Sequence, residues 1–180
     1  QNQGVGLASV RAGNVIGGGD WANDRLIPDI LLSFERGESV VIRNPKATRP
    51  WQHVLEPLSG YLILAQKLYE NQETYAEGWN FGPKEDDVKA VDWILNKMIS
   101  KWPNSSWELD VTCNPHEAKF LKLDISKAKS KLDWEPVWEL THTLEKIVAW
   151  HRAWLNQEDM QAVSFTEIKE YMRDMNNENN

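Results

Sequence analysis

Apolar positions follow two different periods along this 180-residue chain, and the two kinds of segment alternate. Apolar residues three and four positions apart predict helices, whereas short continuous or alternating apolar runs predict strands. The helices are expected at 26–37, 54–70, 86–102, 126–132 and 140–157. The strands are expected at 4–10, 39–43, 78–82, 106–113 and 119–124. Helices and strands in alternation indicate an α/β fold.

Residues with special backbone preferences mark the ends of the predicted helices. Gly37 is the expected stop of the first helix, and Pro57 fits the first turn of the second. The acidic pair 86–87 is expected near the positive end of the third helix. Asp124 or Ser126 is the expected cap of the fourth.

Two segments carry specific expectations about burial. The run at 4–10 is small and apolar throughout, which is typical of a strand buried on both faces. Such a strand needs partners at both edges, so we expect the chain to be part of a larger fold whose first half lies outside this sequence. The apolar stripe of helix 54–70 is expected to face the core through Leu58, Leu62, Ala65 and Leu68.

Composition and charge narrow the class of protein. The chain is 41% hydrophobic and 26% charged with a net charge of −7, as expected for one globular domain that repels nucleic acid and anionic membranes. No apolar run approaches the ~20 residues that span a bilayer, and the N-terminus lacks a charged signal region. The single cysteine, Cys113, excludes an internal disulfide and favours a reducing compartment, so a cytoplasmic location is expected.

Three cations within 41–54 form the first candidate binding feature. Arg43, Lys46 and Arg49 lie between a predicted strand and a predicted helix, where they form either a solvated turn or an anion site. His116, Lys119 and Lys122 form a second, weaker candidate. Two tryptophans in loops beside charged residues are candidates to line a ligand pocket, namely Trp21 and Trp51.

Other chemistries fit the sequence poorly. Cys113 and His116 have the spacing of one zinc pair, but no second pair follows. His142 and His151 are nine residues apart, which does not align two ligands on one helix face. The chain contains neither a Gly-x-Ser-x-Gly nor a Tyr-x-x-x-Lys motif. No catalytic residue and no metal ligand is therefore predicted within it.

Five stretches in order carry a family resemblance over nearly all of residues 4–156. They are "VRAGNVIGGGDW", "DRLIPD", "RPWQHVLEPLSGYL", "WNFGP" and "PHEAKFLKLDISKAKSKLDWEP". Together they resemble the C-terminal half of the CDP-glucose 4,6-dehydratases, a group within the extended short-chain dehydrogenases/reductases that act on nucleotide sugars. The resemblance implies the last sheet strands of a Rossmann-type fold followed by a small substrate-binding lobe.

The resemblance also implies a division of the chain into three parts. Residues 1–25 would be a late strand and loop of the NAD-binding domain, 26–160 the nucleotide-sugar-binding lobe, and 161–180 a C-terminal tail with a disordered end. Gly17, Gly19 and Ala22 match part of a dinucleotide fingerprint by spacing, but the resemblance places this loop at the substrate cleft. The glycine fingerprint and the catalytic Tyr-x-x-x-Lys of the family would lie in the missing half.

Site residues follow from the same resemblance, position by position. The expected substrate contacts are Asn14, Trp21, the helix start Arg25, Leu26 and Ile27, the base-side residues Val41 and Arg43, the diphosphate clamp Arg49, then Asn80, His116 and Glu117. The expected contacts to the nicotinamide end of NAD, mainly through backbone, are Arg11, Ala12 and Gly13. Asn114 stands where related dehydratases often carry arginine, so the charge of that loop must come from other residues.

The implied activity is the NAD-dependent dehydration of a nucleotide sugar, with this chain binding substrate and inactive alone. The resemblance further implies a homo-oligomer for the full-length enzyme, and no nucleic-acid or membrane partner is expected. Two alternatives stay open. The chain could belong to another nucleotide-sugar epimerase or dehydratase of the group, or it could be a non-catalytic nucleotide-sugar-binding module.

Overall fold

The structure is a computed structural model that describes residues 4–111 and 120–178. Within these residues the chain forms eight short strands and seven helices, in the alternating order expected of an α/β fold. The strands are β1 (Ser9–Ala12), β2 (Asn14–Ile16), β3 (Val40–Ile42), β4 (Thr48–Arg49), β5 (Trp51–His53), β6 (Gly78–Phe81), β7 (Lys89–Ala90) and β8 (Trp107–Leu109). The helices are α1 (Leu26–Arg36), α2 (Leu55–Glu70), α3 (Gln72–Tyr75), α4 (Val91–Lys101), α5 (Ser126–Leu132), α6 (Leu140–Leu155) and α7 (Met160–Glu178).

Parallel pairing between distant strands organises the described part of the chain. β1 pairs with β6, β2 with β5 and β3 with β8, all in parallel, whereas β4 and β7 pair antiparallel. Parallel neighbours require long crossover connections, and α2 supplies one between β5 and β6. This topology confirms the predicted α/β class.

The N-terminal strand differs from its prediction. Pairing starts only at Ser9, because its partner β6 begins at Gly78. Val5 and Leu7, expected in a strand buried on both faces, are instead 91% and 78% exposed. The start of the apolar run therefore forms an exposed surface in the described part of the chain.

The buried face of α2 was also predicted wrongly. Leu58 and Leu62 are 45% and 74% exposed. The face turned to the core carries Glu56, Pro57, Gly60 and Leu64. A side-chain carbon on Gly60 would lie 2.3 Å from the ring of Phe81, so glycine at this position allows α2 to approach β6 closely.

One predicted helix end is confirmed and two differ. Gly37 ends α1 in a left-handed conformation with φ of 67°. The N-cap of α5 is Ile125, without a side-chain cap, and not Asp124 or Ser126; Asp124 accepts a hydrogen bond from Ser126 N just before the helix. α4 begins at Val91 and not at 86, because 85–87 form a 3-10 turn and β7 intervenes.

Two of the predicted strands are shorter than expected. The strand expected at 106–113 spans only Trp107–Leu109. The one expected at 119–124 is reduced to a bridge between Thr48 and Phe120.

Two apolar cores hold the fold together. The larger is built on α1, β3, α4 and α6, with Ile30, Ile94, Leu95 and Met98 fully buried. The smaller joins α2, β6 and α5 through Leu64, Phe81, Leu132 and Trp134 among others. Burying such side chains contributes about 1.5–3 kcal/mol each.

The segment assigned to a C-terminal tail contains the helix α7, which is packed on α6. Trp150 Nε1 donates to Ser164 Oγ at 3.0 Å, and Trp138 Nε1 donates to Asp174 Oδ2 at 3.0 Å. Lys146 pairs with Glu170 across the same contact. The described helices include none with the length and apolarity needed to cross a bilayer.

Candidate functional site

A hollow of about 220 Å³ opens between the start of α1 and the segment from β3 to β5. Its wall combines two arginines, two aspartates, a tryptophan and aliphatic side chains. The lining residues are Asp24, Leu26, Asp29, Val40, Val41, Ile42, Arg43, Asn44, Ala47, Arg49, Trp51 and Val91. Four predicted substrate contacts are among them: Leu26, Val41, Arg43 and Arg49.

Strand alternation brings the base-side residues to this hollow. Val40 and Ile42 are 3% and 7% exposed and belong to the larger core, whereas Val41 between them is 58% exposed. Arg43, two residues after Val41, is exposed and lines the hollow. A turn closed by the hydrogen bond from Ala47 N to Asn44 O, at 3.1 Å, then leads the chain back along its rim.

The three cations of the predicted anion site separate into two groups. Arg43 and Arg49 both line the hollow, and Arg49 is half-buried with its Nη1 donating to the carbonyl of Thr48 at 3.0 Å. Lys46 does not line it and instead pairs with Asp92 at 2.5 Å. Two guanidinium groups therefore share one hollow, an arrangement suited to phosphate oxygens.

Trp51 adds a buried donor to the wall of the hollow. The residue is only 6% exposed, and its Nε1 has no hydrogen-bond partner among the described residues. A buried N–H without an acceptor costs about 1–3 kcal/mol, and Trp51 carries such a group next to the hollow that it lines. Trp51 was predicted as a pocket residue, but the sequence could not show that its indole N–H lacks a hydrogen-bond acceptor among the described residues.

The start of α1 forms the opposite side of the hollow. Its N-cap, Arg25, makes no side-chain cap, and Arg25 Nη1 instead pairs with Asp20 Oδ2 at 3.3 Å. Leu26 lines the hollow, whereas the side chain of Ile27 is buried in the core, so only its backbone could serve the predicted contact. Backbone N–H groups in a first helical turn favour anions.

Two aspartates in the wall were not among the predicted site residues. Asp24, just before α1, has a left-handed backbone with φ of 59°, and Asp29 lies in the first turn of that helix. Partial burial and the neighbouring Asp24 carboxylate raise the pKa of Asp29, while Arg43 opposes this shift. The sequence shows these two acids as the first and last residues of "DRLIPD", but only the fold places them beside Arg43.

Trp21 lies away from this hollow, in a smaller cavity of about 150 Å³. Its ring centroid is 4.5 Å from that of Trp154 and 5.6 Å from that of His151. His151 Nε2 lies 2.5 Å from Glu35 Oε1 and is buried. This aromatic group packs α6 against the loop before α1, and the predicted substrate contact of Trp21 stays a prediction.

The glycine-rich loop is shaped by packing against α6. A side-chain carbon on Gly18 would lie 2.3 Å from ring atoms of Trp150, and one on Gly17 would lie 2.8 Å from Val54. No helix begins directly after these glycines, since α1 starts only at Leu26. This geometry agrees with the interpretation that the loop is not a dinucleotide cradle.

The remaining predicted contacts lie along the parallel strand pairs. Arg11 is opposite Asn80, and the side chain of Asn80 donates to the carbonyl of Asp124 at 3.1 Å. Asn14 is opposite Trp51. A side-chain carbon on Gly13 would lie 2.2 Å from the carbonyl oxygen of Pro50, so glycine here permits close strand approach.

Ala12 lies at the end of the same strand, β1. With Arg11 and Gly13 it stays the predicted contact to the nicotinamide end of NAD.

The predicted contacts His116 and Glu117 lie outside the described residues, as do Lys119 and Asn114. Lys122 of the same candidate pairs with Glu85 at 2.8 Å. Across 4–111 and 120–178, no group of three or more metal-ligating side chains comes together.

The sequence is similar to a protein of known class. No protein-family model matches it. CDP-glucose 4,6-dehydratase of Salmonella typhimurium strain LT2 is 60% identical over 173 residues. The match covers 96% of this chain and 48% of that protein, so the chain spans about half the length of this relative, consistent with the predicted C-terminal half.

Similar solved structures agree on the fold. A dTDP-glucose 4,6-dehydratase from Bacillus anthracis in complex with NAD has a TM-score of 0.64 and 19% identity, over 81% of this chain and 44% of that chain. A UDP-glucuronic acid 4-epimerase from Bacillus cereus, in complex with UDP-glucuronic acid and NAD, has a TM-score of 0.64 and 22% identity, over 82% of this chain and 45% of that chain. The chain thus has the α/β fold of the C-terminal part of extended short-chain dehydrogenases/reductases, and its sequence is similar to that of CDP-glucose 4,6-dehydratase.

Proposed function

We propose that this chain is the substrate-binding part of an NAD-dependent lyase that converts CDP-glucose to CDP-4-dehydro-6-deoxyglucose. The hollow between α1 and β3–β5 binds the nucleoside diphosphate. The 60% identity to a CDP-glucose 4,6-dehydratase supports the reaction class.

The observation that carries this proposal is the set of residues that line the hollow together with Arg49. Arg49 lines the hollow together with Arg43 and Trp51, and the Trp51 Nε1 has no partner among the described residues. A diphosphate accepts hydrogen bonds from such donors, and the guanidinium group of Arg49 would bind two of its oxygens at once.

The reaction would divide labour between two halves of the enzyme. Bound NAD would supply reversible hydride transfer, from C4 of the hexose and back to C6 once water has left across C5 and C6, so the reaction would have no net oxidation. Gly17 and Gly18 pack against Val54 and Trp150, and the cofactor cradle would lie in the other half, together with the catalytic tyrosine and lysine. The present residues hold the diphosphate, and that binding energy positions the sugar for reaction.

The exposed apolar residues would form the contact with that other half. Val5, Leu7 and Leu62 are 91%, 78% and 74% exposed, an arrangement that favours a packed partner. This chain alone would therefore bind substrate groups but have no catalytic activity.

The product, a 4-dehydro-6-deoxy sugar, would serve the cytoplasmic synthesis of dideoxy sugars for lipopolysaccharide O-antigen.

The test is turnover by the full-length protein with NAD and CDP-glucose. Mass spectrometry should show loss of one water from the sugar nucleotide, and dTDP-, UDP- and GDP-glucose should react more slowly. A product that retains the mass of its substrate would instead indicate an epimerase. Absence of turnover with all four sugar nucleotides would contradict the proposed reaction.

A further inference from the structure

The hollow holds two negative side chains where an anionic ligand is expected. Asp24 and Asp29 line the same wall as Arg43 and Arg49. A carboxylate beside a diphosphate opposes binding unless it contacts another part of the ligand. The acids therefore indicate a hydrogen-bond donor on the ligand, outside its phosphate groups.

The pyrimidine bases differ in this respect. Cytosine carries an exocyclic amino group, a donor, at the position where uracil and thymine carry a carbonyl oxygen. A carboxylate accepts a hydrogen bond from that amino group but repels the carbonyl oxygen. A site with a fixed carboxylate at the base edge consequently separates CDP from UDP by attraction in one case and repulsion in the other.

Asp29 lies in the first turn of α1 and lines the hollow together with Arg43. Arg43 follows β3, the strand expected to border the base. Trp51 lines the same hollow; it is 6% exposed, and its Nε1 has no partner among the described residues.

We propose that Asp29 selects cytosine in this hollow, its carboxylate accepting a hydrogen bond from the exocyclic amino group while Arg43 donates to the ring carbonyl oxygen. This inference rests on the proposed function, because it assumes that a nucleoside diphosphate occupies the hollow.

The test removes each partner of the proposed hydrogen bond in turn: the amino group of the ligand and the carboxylate of Asp29. Calorimetry on the full-length protein would compare CDP, UDP and the diphosphate of 2-pyrimidinone riboside, which is CDP without the amino group. The unaltered protein should bind CDP about tenfold or more tightly than either of the others. In Asp29→Asn the three affinities should converge to within about threefold, which is the signature of a direct coupling.

Two further variants sharpen the comparison. Glu38→Gln removes the same charge from an exposed side chain just after α1 and should keep the full preference for CDP. Asp29→Glu keeps the charge but moves the carboxylate by one methylene group, and should lower the preference even if Asp29→Asn does not fold.

The possible outcomes distinguish the role of Asp29 from the proposed nucleotide site itself. Equal binding of CDP and the pyrimidinone analogue to the unaltered protein would overturn the role of Asp29, and so would an unchanged preference in both Asp29 variants. In either case the nucleotide site would stand. Failure of all three diphosphates to bind the unaltered protein would overturn the proposed function itself.

Discussion

The phenol of Tyr171 in α7 donates a 2.8 Å hydrogen bond to Glu56 Oε2 in α2, and both residues are buried. The same carboxylate accepts from the backbone N–H groups of Val137 and Trp138, at 2.9 and 2.7 Å. One buried charge thus ties α7 and the segment before α6 to α2. Breaking such a bond while the charge stays buried is expensive.

Tyr171→Phe should lower the free energy of unfolding by about 1.5–3 kcal/mol, because the Glu56 carboxylate loses one of its donors. Urea unfolding measures this change. Tyr69→Phe, at a side chain 89% exposed, is the matched control and should be neutral. Equal stability of the two variants would show that the hydrogen bond does not hold α7.

Stability should also depend on pH through Glu56. Burial raises the pKa of this carboxyl above its usual 4.5, although Trp138, Val137, Tyr171 and His53 oppose the shift. The folded state therefore binds the proton more tightly than the unfolded state, and stability falls as pH rises from 4.5 through the raised pKa.

Glu56→Gln isolates this contribution, because glutamine does not titrate. The free energy of unfolding of the unaltered protein, minus that of Glu56→Gln, should decrease across that pH range. A difference that stays constant or increases would contradict the raised pKa.

Trp51→Phe should weaken CDP binding by about five- to tenfold, since the indole N–H without a protein partner is lost as a donor to the ligand. It should cost less stability than Trp134→Phe, which breaks a 3.0 Å bond from the indole to Ser59 Oγ. Calorimetry and thermal unfolding measure the two effects. Unchanged CDP affinity in Trp51→Phe would remove this residue from the site.

Gly18→Ala should destabilise the protein by about 1–3 kcal/mol, because the added carbon would overlap the ring of Trp150 at 2.3 Å. Gly78→Ala is the control, since its added carbon would meet only Ser9 Oγ at 3.4 Å. Chemical unfolding of both variants makes the comparison. If Gly18→Ala proved as stable as the control, the packing role of this loop would be wrong.

Local patterns predicted α1 and β3 well, because one apolar stripe and a left-handed glycine define α1, and alternation defines β3. The burial of α2 was not predictable in the same way. Apolar residues lie on both of its faces, and the face that is buried carries Glu56. The donors to Glu56 come from residues more than eighty positions away in sequence, which no local pattern reveals.

The candidate site could likewise be predicted only in part from the sequence. The charge spacing of Arg43 and Arg49 was visible in the sequence, and both line one hollow. The third cation, Lys46, had the same signal but pairs with Asp92, forty-six positions away. Asp29 became a candidate only once the fold placed it beside Arg43.

The central claim is that Arg49 binds the diphosphate of the substrate, and CDP titration of Arg49→Ala against Lys46→Ala tests it most directly. Both substitutions remove one positive charge from the segment between β3 and β5, but only Arg49 lines the hollow. We expect Arg49→Ala to weaken CDP binding by about tenfold or more, as for loss of a charge-assisted hydrogen bond, and Lys46→Ala to leave it nearly unchanged. Equal affinities in the two variants would contradict the account.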